Sequence, residues 1–373
     1  MTIYTLDLSI LASYFILIGY LVWKIYPQIK TSLQQSNFGS VLFMGFGVVS
    51  FICTWTYMFA FFKYNYLSWK TFYGVEEDFS IYTMSYWLHN VSLFDDAWRT
   101  VCSGDWQWLW SIQLCTFTVS VWTPILAIEG SRRKIPFVWA YMLAGQVVAI
   151  SVFLSLFFGA MLIYSQKSSR LPSNTLIGLL GIASFGGLVS TAYIPYVTDS
   201  ASFLPTLLSV HVFTLIPLFY MCFFTSQDVS SPVKEIADSR DNDSNGSPRT
   251  SIIALYGIGS LVNLILIGQQ WYQAVFNLIA TTPLVTPYVI FIQLIQIFFN
   301  HPAQSSISFD VVCVYIISIT WMMIDSRTKQ HNTYKFWSVI LIILTPLLSP
   351  AVTLPLYFAM DEYIHPVMKH KNK

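Results

Sequence analysis

The run Trp106 to Ile128, WQWLWSIQLCTFTVSVWTPILAI, stops at Glu129-Gly130-Ser131-Arg132-Arg133-Lys134, and a second apolar run, Ile135 to Tyr164, begins at once. Each run meets the roughly 20 apolar residues needed to cross a bilayer, and a tight basic turn between two such runs reads as a cytoplasmic loop. The pair predicts a membrane helical hairpin. Further apolar runs near 9–25, 41–62, 176–197, 203–224, 251–268, 288–299, 309–324 and 336–358 repeat the pattern. The expected fold is all-α, a polytopic transmembrane helical bundle of about eight to ten spans forming a single domain over residues 1–373.

Composition agrees. Of 373 residues, 55% are hydrophobic and only 10% charged, with a mean hydropathy of +0.58, which no soluble core wrapped in a polar surface would show. A net charge of +1 without a long basic stretch excludes nucleic acid as partner. Cys53, Cys102, Cys115, Cys222 and Cys313 are scattered, with no CxxC or Cys/His metal spacing, and read as small apolar residues of a membrane protein. The run at 9–25 lacks a basic n-region and a small-residue cleavage site, so it is expected to be the first span. Pro283 and Pro287 break the stretch from Gln269 to Phe299, which reads as a broken or re-entrant helix, and Pro346, Pro350 and Pro355 should kink the last span. No internal repeat is evident.

Two loops are long. The first, 63–105, is acidic through Glu76, Glu77, Asp78, Asp95, Asp96 and Asp105 yet carries Trp69, Trp87 and Trp98, so it should fold against the membrane face. The second, 226–249, is rich in Ser, Asp and Asn and reads as a disordered linker. No Lys or Arg precedes Lys24, while the turns carrying Lys24, Lys30 and Arg132, Arg133, Lys134 are basic, which places the N-terminus and both long loops on the lumenal side. The sequons Asn90-Val91-Ser92 and Asn242-Asp243-Ser244 fall in those loops and suggest a glycoprotein. The charge count does not assign the C-terminus.

Soluble-enzyme motifs are absent. Gly45-Phe46-Gly47 and Gly257-Ile258-Gly259 sit inside predicted spans, where close helix packing is the better reading than a phosphate cradle. Asp95-Asp96-Ala97-Trp98-Arg99 has Arg99 and Thr100 where a diphosphate-binding magnesium motif needs its third acid. Polar groups at membrane depth then become the candidates. Asp310 opens the 309–324 run, with Ser306, Asp310 and Cys313 on one helical face; it reads either as a buried acid or as an interfacial acid capped by neighbouring hydroxyls. Glu129 ends the heptad stripe Trp108, Cys115, Trp122, Glu129, but its neighbours Arg132 and Arg133 favour a rim salt bridge. Gln146, Ser151, Trp271 and Tyr272 either line a pocket or bond between helices.

The segments 94–98 (FDDAW), 110–115 (WSIQLC), 121–123 (VWT), 129–133 (EGSRR) and 139–151 (WAYMLAGQVVAIS) resemble a family of fungal integral-membrane proteins, the membrane-bound terpene cyclases of the ascofuranone-pathway type. The similarity is densest over 92–158, and 304–310 (QSSISFD) is a second patch. The resemblance implies a multi-pass, endoplasmic-reticulum enzyme of meroterpenoid secondary metabolism, an isomerase acting on a lipid-like prenylated small molecule among membrane lipids, with no metal or other cofactor. Such a cyclase protonates an epoxide or alkene without ionising a diphosphate. It needs an acid that keeps its proton near neutral pH, for which Asp310 or Glu129 is the candidate, and aromatic faces for the developing cation, worth about 0.5 to 2 kcal/mol each. Trp122, Gln146, Trp271 and Tyr272 are the expected substrate contacts. A multispan transporter or lipid-binding protein is the alternative, since it too buries polar residues.

Overall fold

The structure, a computed structural model, describes residues 3–35, 37–164, 171–224, 247–329 and 331–371. Among these residues the regular structure is entirely helical. Long helices are α1 (Thr5–Gln34), α2 (Phe38–Phe72), α5 (Asp105–Arg133), α8 (Asn174–Tyr193), α9 (Phe203–Phe224), α10 (Ser247–Thr281) and α12 (Pro302–Thr328). These seven are long and apolar enough to cross a membrane. Shorter helices are α3 (Ile81–Asn90), α4 (Leu93–Cys102), α6 (Val138–Val147), α7 (Ile150–Ile163), α11 (Pro287–Asn300), α13 (Asn332–Leu348) and α14 (Pro350–Lys371).

Polar contacts at the helix ends define two faces. At one, His89 meets Asp7 at 3.0 Å, Arg99 donates to the carbonyls of Thr198 and Ser200, and Asn277 donates to Asp105 at 2.6 Å. This face gathers the start of α1, the α3–α4 segment, the start of α5, the α8–α9 turn and the end of α10. At the opposite face Arg132 pairs with Glu362, Arg249 lies 3.6 Å from Glu362, and Lys329 lies 2.8 Å from Asp361. The seven long helices alternate between these faces.

The loop expected at 63–105 starts later than predicted, because α2 continues through Phe72. The rest packs as two short helices. A capping box of Ser80 and Thr83 starts α3, and Asn65 of α2 accepts from the buried Trp87 indole at 2.7 Å, so this segment does fold against the bundle. Close helix contact is made by small residues: a Cβ on Gly47 would meet Leu156 at 3.2 Å, and one on Gly259 would meet Ser120 at 3.4 Å. Both glycine pairs singled out in the sequence thus supply one packing residue each.

The run from Ile135 to Tyr164 is not a single crossing. It forms α6 and α7, of 10 and 14 residues, which span about 15 and 21 Å, too short for a core of about 30 Å. Tyr141 and Phe157 meet edge to face at 5.3 Å across the two helices. Gly130 lies against Val138, and Arg133 donates to the carbonyls of Met161 and Tyr164, so both ends sit at the Arg132 face. The element is a re-entrant hairpin with its tip inside the bundle.

Residues 336–358, expected to be one kinked span, likewise form two helices. Ser349, at φ 76°, turns the chain between α13 and α14. Contacts of Thr345 with Thr353 at 2.7 Å and of Tyr334 with Tyr357 at 5.5 Å between rings make α13 and α14 an antiparallel hairpin whose ends also lie at the Arg132 face. Pro283 and Pro287 flank the break between α10 and α11, as expected, and α11 packs back on Trp106, Leu109 and Ala274 at the first face.

The 226–249 linker, with Asn242, lies outside the described residues except for 247–249, which belong to α10. Its flanks are placed. α9 packs on the 123–133 part of α5, and Arg249 is beside Glu362 at the Arg132 face. Arg249, the last residue of that predicted stretch, thus lies at the face opposite Arg99 and Asp105 of the 63–105 loop; reading 135–164 as a crossing is what put the two on one side.

Candidate functional site

A helix that stops inside a membrane leaves amides and carbonyls without partners, each costing several kcal/mol unless satisfied. At the α6–α7 tip, Val148 (φ −115°, ψ −71°) and Ala149 (φ −173°, ψ 138°) leave the helical path. The freed Val147 carbonyl accepts from the Tyr14 hydroxyl, and that of Val148 from Trp55 Nε1 at 3.3 Å. The first amides of α7 are taken by Asp310: the Ile150 N–H donates to Oδ2 at 3.1 Å and the Ser151 N–H to Oδ1 at 2.8 Å. Asp310 is thus an N-cap supplied by another helix, and a carboxyl at a helix N-terminus also meets the favourable end of the helix dipole.

Around it, Ser306 donates to the Thr54 carbonyl at 3.0 Å, and Cys313 adjoins Ser50 and Cys53 of α2. The face shared by Ser306, Asp310 and Cys313 is real, and it packs between α2 and the hairpin tip. Gln146, two residues before the break at Val148, donates to Thr214 Oγ1 at 2.5 Å and to the His211 carbonyl at 3.5 Å, tying the tip to α9. Trp122 is fully buried at the other side of the tip, where its Nε1 and the Ile150 Cα each lie 3.7 Å from the position of a Cβ on Gly145.

The structure therefore brings Asp310, Ser151, Gln146 and Trp122 to one hairpin tip. Glu129 stands apart at the hairpin root, buried, accepting from Arg133 Nε at 3.1 Å and Arg132 Nη1 at 3.5 Å. Arg132 in turn pairs with Glu362 through both nitrogens. The salt bridge expected of Glu129 is present, although buried instead of on the rim. Trp271 packs edge to face on Trp106 at 6.2 Å, and Tyr272 is 69% exposed on the outside of the bundle, so neither joins the others. Tyr14 and Trp55, which hold the break open, carry no sequence signal, because their partners are backbone carbonyls more than ninety residues away.

A second polar seam surrounds the α13–α14 tip. Pro355 has no N–H for the Ala351 carbonyl, which accepts instead from Asn263 Nδ2 at 2.6 Å; Asn263 also binds Ser120, and Tyr315 donates to Gln113 Oε1 at 2.5 Å. A cavity of about 10 Å³, enough for one water-sized group, lies here between Gln113, Phe117, Val311, Tyr315 and Pro350, one residue along α12 from Asp310. Among the described residues no group of three or more His, Cys, Asp or Glu converges as a metal site.

Residues 261–363 match the model of a protein family described as being of unknown function, DUF2834. The match contains Asn263, Asp310 and the whole α13–α14 tip. No curated protein and no solved structure matches the chain.

Proposed function

We propose that this membrane protein is a terpene cyclase of the endoplasmic reticulum that protonates an epoxide or alkene on a prenylated, lipid-like molecule and closes a ring, with Asp310 as the proton donor. The observation that carries the reading is the position of Asp310: a buried carboxyl held by two amides at a helix break whose freed carbonyls are taken by Tyr14 and Trp55, two of the aromatic residues gathered at the same tip. To donate a proton Asp310 must first hold one. A protonated carboxyl keeps one amide bond through its carbonyl oxygen and gives up the other, and the bond to Ile150 is the longer. Glu129 is the weaker candidate, since its two carboxylate oxygens are already engaged by Arg132 and Arg133.

Microsomes containing the full chain, fed prenyl epoxides and analysed for cyclised isomers of unchanged mass, test the reading. Ring closure that survives a chelator supports it. A requirement for magnesium with a prenyl diphosphate, or no cyclised product from any epoxide, overturns it. The two re-entrant hairpins favour one other reading, a multispan transporter or lipid-binding protein, because discontinuous helices with partnered mid-membrane ends are how transporters build their sites. Uptake of the same epoxides into sealed proteoliposomes without chemical change would favour it.

A further inference from the structure

Lys24 stands one bilayer away from the start of α1: Thr5 to Lys24 is about 28 Å of helix, against a hydrocarbon core of about 30 Å. Its Nζ lies over three rings, Trp23 at 5.0 Å, Phe137 at 5.1 Å and Tyr20 at 5.4 Å. Phe137 belongs to the turn that joins α5 to α6, and Gln28 of α1 donates to the Pro136 carbonyl at 3.3 Å, so the turn is held against α1. Lys134 and Phe137 both take left-handed backbone, at φ 54° and 56°, which a residue with a bulky side chain seldom adopts. This turn leaves Lys134 exposed and brings the Phe137 ring to Lys24. The charge of the two lysines is not balanced. No Asp or Glu occurs between Asp7 and Glu76 or between Glu129 and Asp199, and Glu129 itself is buried and engaged by Arg132 and Arg133. Among the described residues no ion pair reaches Lys24, Lys30 or Lys134. One and two turns from Lys24 toward the opposite face, Tyr20 and Ile16 are exposed, at 43% and 71%, and form an apolar track into the bilayer.

We propose that Lys24 and Lys134, framed by the Tyr20, Trp23 and Phe137 rings, bind the phosphate of an anionic glycerophospholipid in the leaflet at the Arg132 face, with its acyl chains lying along Tyr20 and Ile16. A lipid is the occupant because the unneutralised charge sits at headgroup depth among interfacial aromatic rings, and because the apolar track continues from it toward the bilayer centre. The site is separate from Asp310 and independent of any reaction there. The full chain in detergent is titrated with phosphatidylglycerol and with phosphatidylcholine of the same acyl chains, and bound lipid is counted by native mass spectrometry. Wild type should hold phosphatidylglycerol at least about tenfold more tightly. Lys24→Gln and Lys134→Gln should each weaken that lipid about fivefold, as for one lysine at a membrane surface, and leave phosphatidylcholine unchanged. Lys30→Gln is the control: it makes the same charge change about 120° round α1 from Lys24 and should cost less than about twofold. Equal affinities for the two lipids in wild type, or a preference that survives both Lys24→Gln and Lys134→Gln, overturns the proposal. So does a Lys30→Gln loss as large as that of Lys24→Gln, which would mean diffuse charge without a site, or displacement of phosphatidylglycerol by inorganic phosphate at equal concentration, which would mean a site for a free anion.

Discussion

Replacing Asp310 by Asn leaves one acceptor oxygen for the amides of Ile150 and Ser151 and turns an NH2 group toward the other. The substitution therefore touches the fold as well as any chemistry, with an expected loss of about 1 to 2 kcal/mol, as for other N-caps. Turnover per folded molecule should still fall by about two to four orders of magnitude if Asp310 is the acid, and a fall of less than about tenfold rules it out as the sole donor. Glu129→Gln is the control. It weakens the pairs with Arg132 and Arg133 and should lower stability while sparing turnover; a folded but inactive Glu129→Gln beside an active Asp310→Asn reverses the assignment. Outside the spans, Asp96 behaves differently. Desolvation raises its pKa, with Asp95 adding to the rise and the Asn65 bond and Arg99 opposing it. A carboxyl whose folded pKa lies above its unfolded value contributes stability at low pH and loses it as pH rises through the folded pKa. Asp96→Asn should therefore raise the melting temperature near neutral pH and leave it unchanged well below the carboxylate range, whereas a lower melting temperature at neutral pH would mean that the charged form is the favoured one.

The two hairpins show which elements hydropathy can and cannot read. The basic turn at Arg132 and Arg133 and the long apolar runs were legible, because each is a local property. The break at Val148 was not: no Gly or Pro marks it, and the groups that make it tolerable, Tyr14, Trp55 and Asp310, come from three other helices. At the other tip the prolines signalled a kink. They did not signal the full reversal at Ser349, which depends on a distant Asn263 to satisfy the carbonyl that Pro355 strands. Asp310 was legible as an unusual acid, yet its partners were not, so the site was half visible. This dependence is testable. Asn263→Leu should destabilise the protein by about 1 to 3 kcal/mol, the cost of a buried unsatisfied carbonyl. Pro355→Ala restores an N–H to that carbonyl and should recover part of the loss in the Asn263→Leu background while doing little alone. Equal effects of Pro355→Ala in both backgrounds would separate the two residues.

Seven candidate crossings among the described residues, with two hairpins that return to their face of origin, put the start of α1 and the end of α14 on opposite sides. Lys24, Lys30, Arg132, Arg133, Lys134, Arg249, Arg327, Lys329 and Lys335 belong to the ends and turns at the Arg132 face, against Lys63, Lys70 and Arg99 toward the other. That asymmetry predicts a cytoplasmic Arg132 face, because basic loops are retained there. The same face carries the buried cluster in which Arg132 joins Glu129 at the root of one hairpin to Glu362 at the root of the other, so the two re-entrant elements are anchored together there. The prediction is therefore a cytoplasmic side for Arg249 and the end of α14, and the opposite side for the start of α1. In sealed microsomes, protease should reach a C-terminal tag and cut within 225–246 from outside, and an N-terminal tag should be protected. Asn242 should stay unmodified, leaving Asn90 as the one sequon on the lumenal side, where endoglycosidase would detect a glycan. A glycan on Asn242, or a protected C-terminal tag, would mean that one of the hairpins crosses after all, and the α6–α7 tip at Asp310 would then have to be redrawn as a kink in a full span.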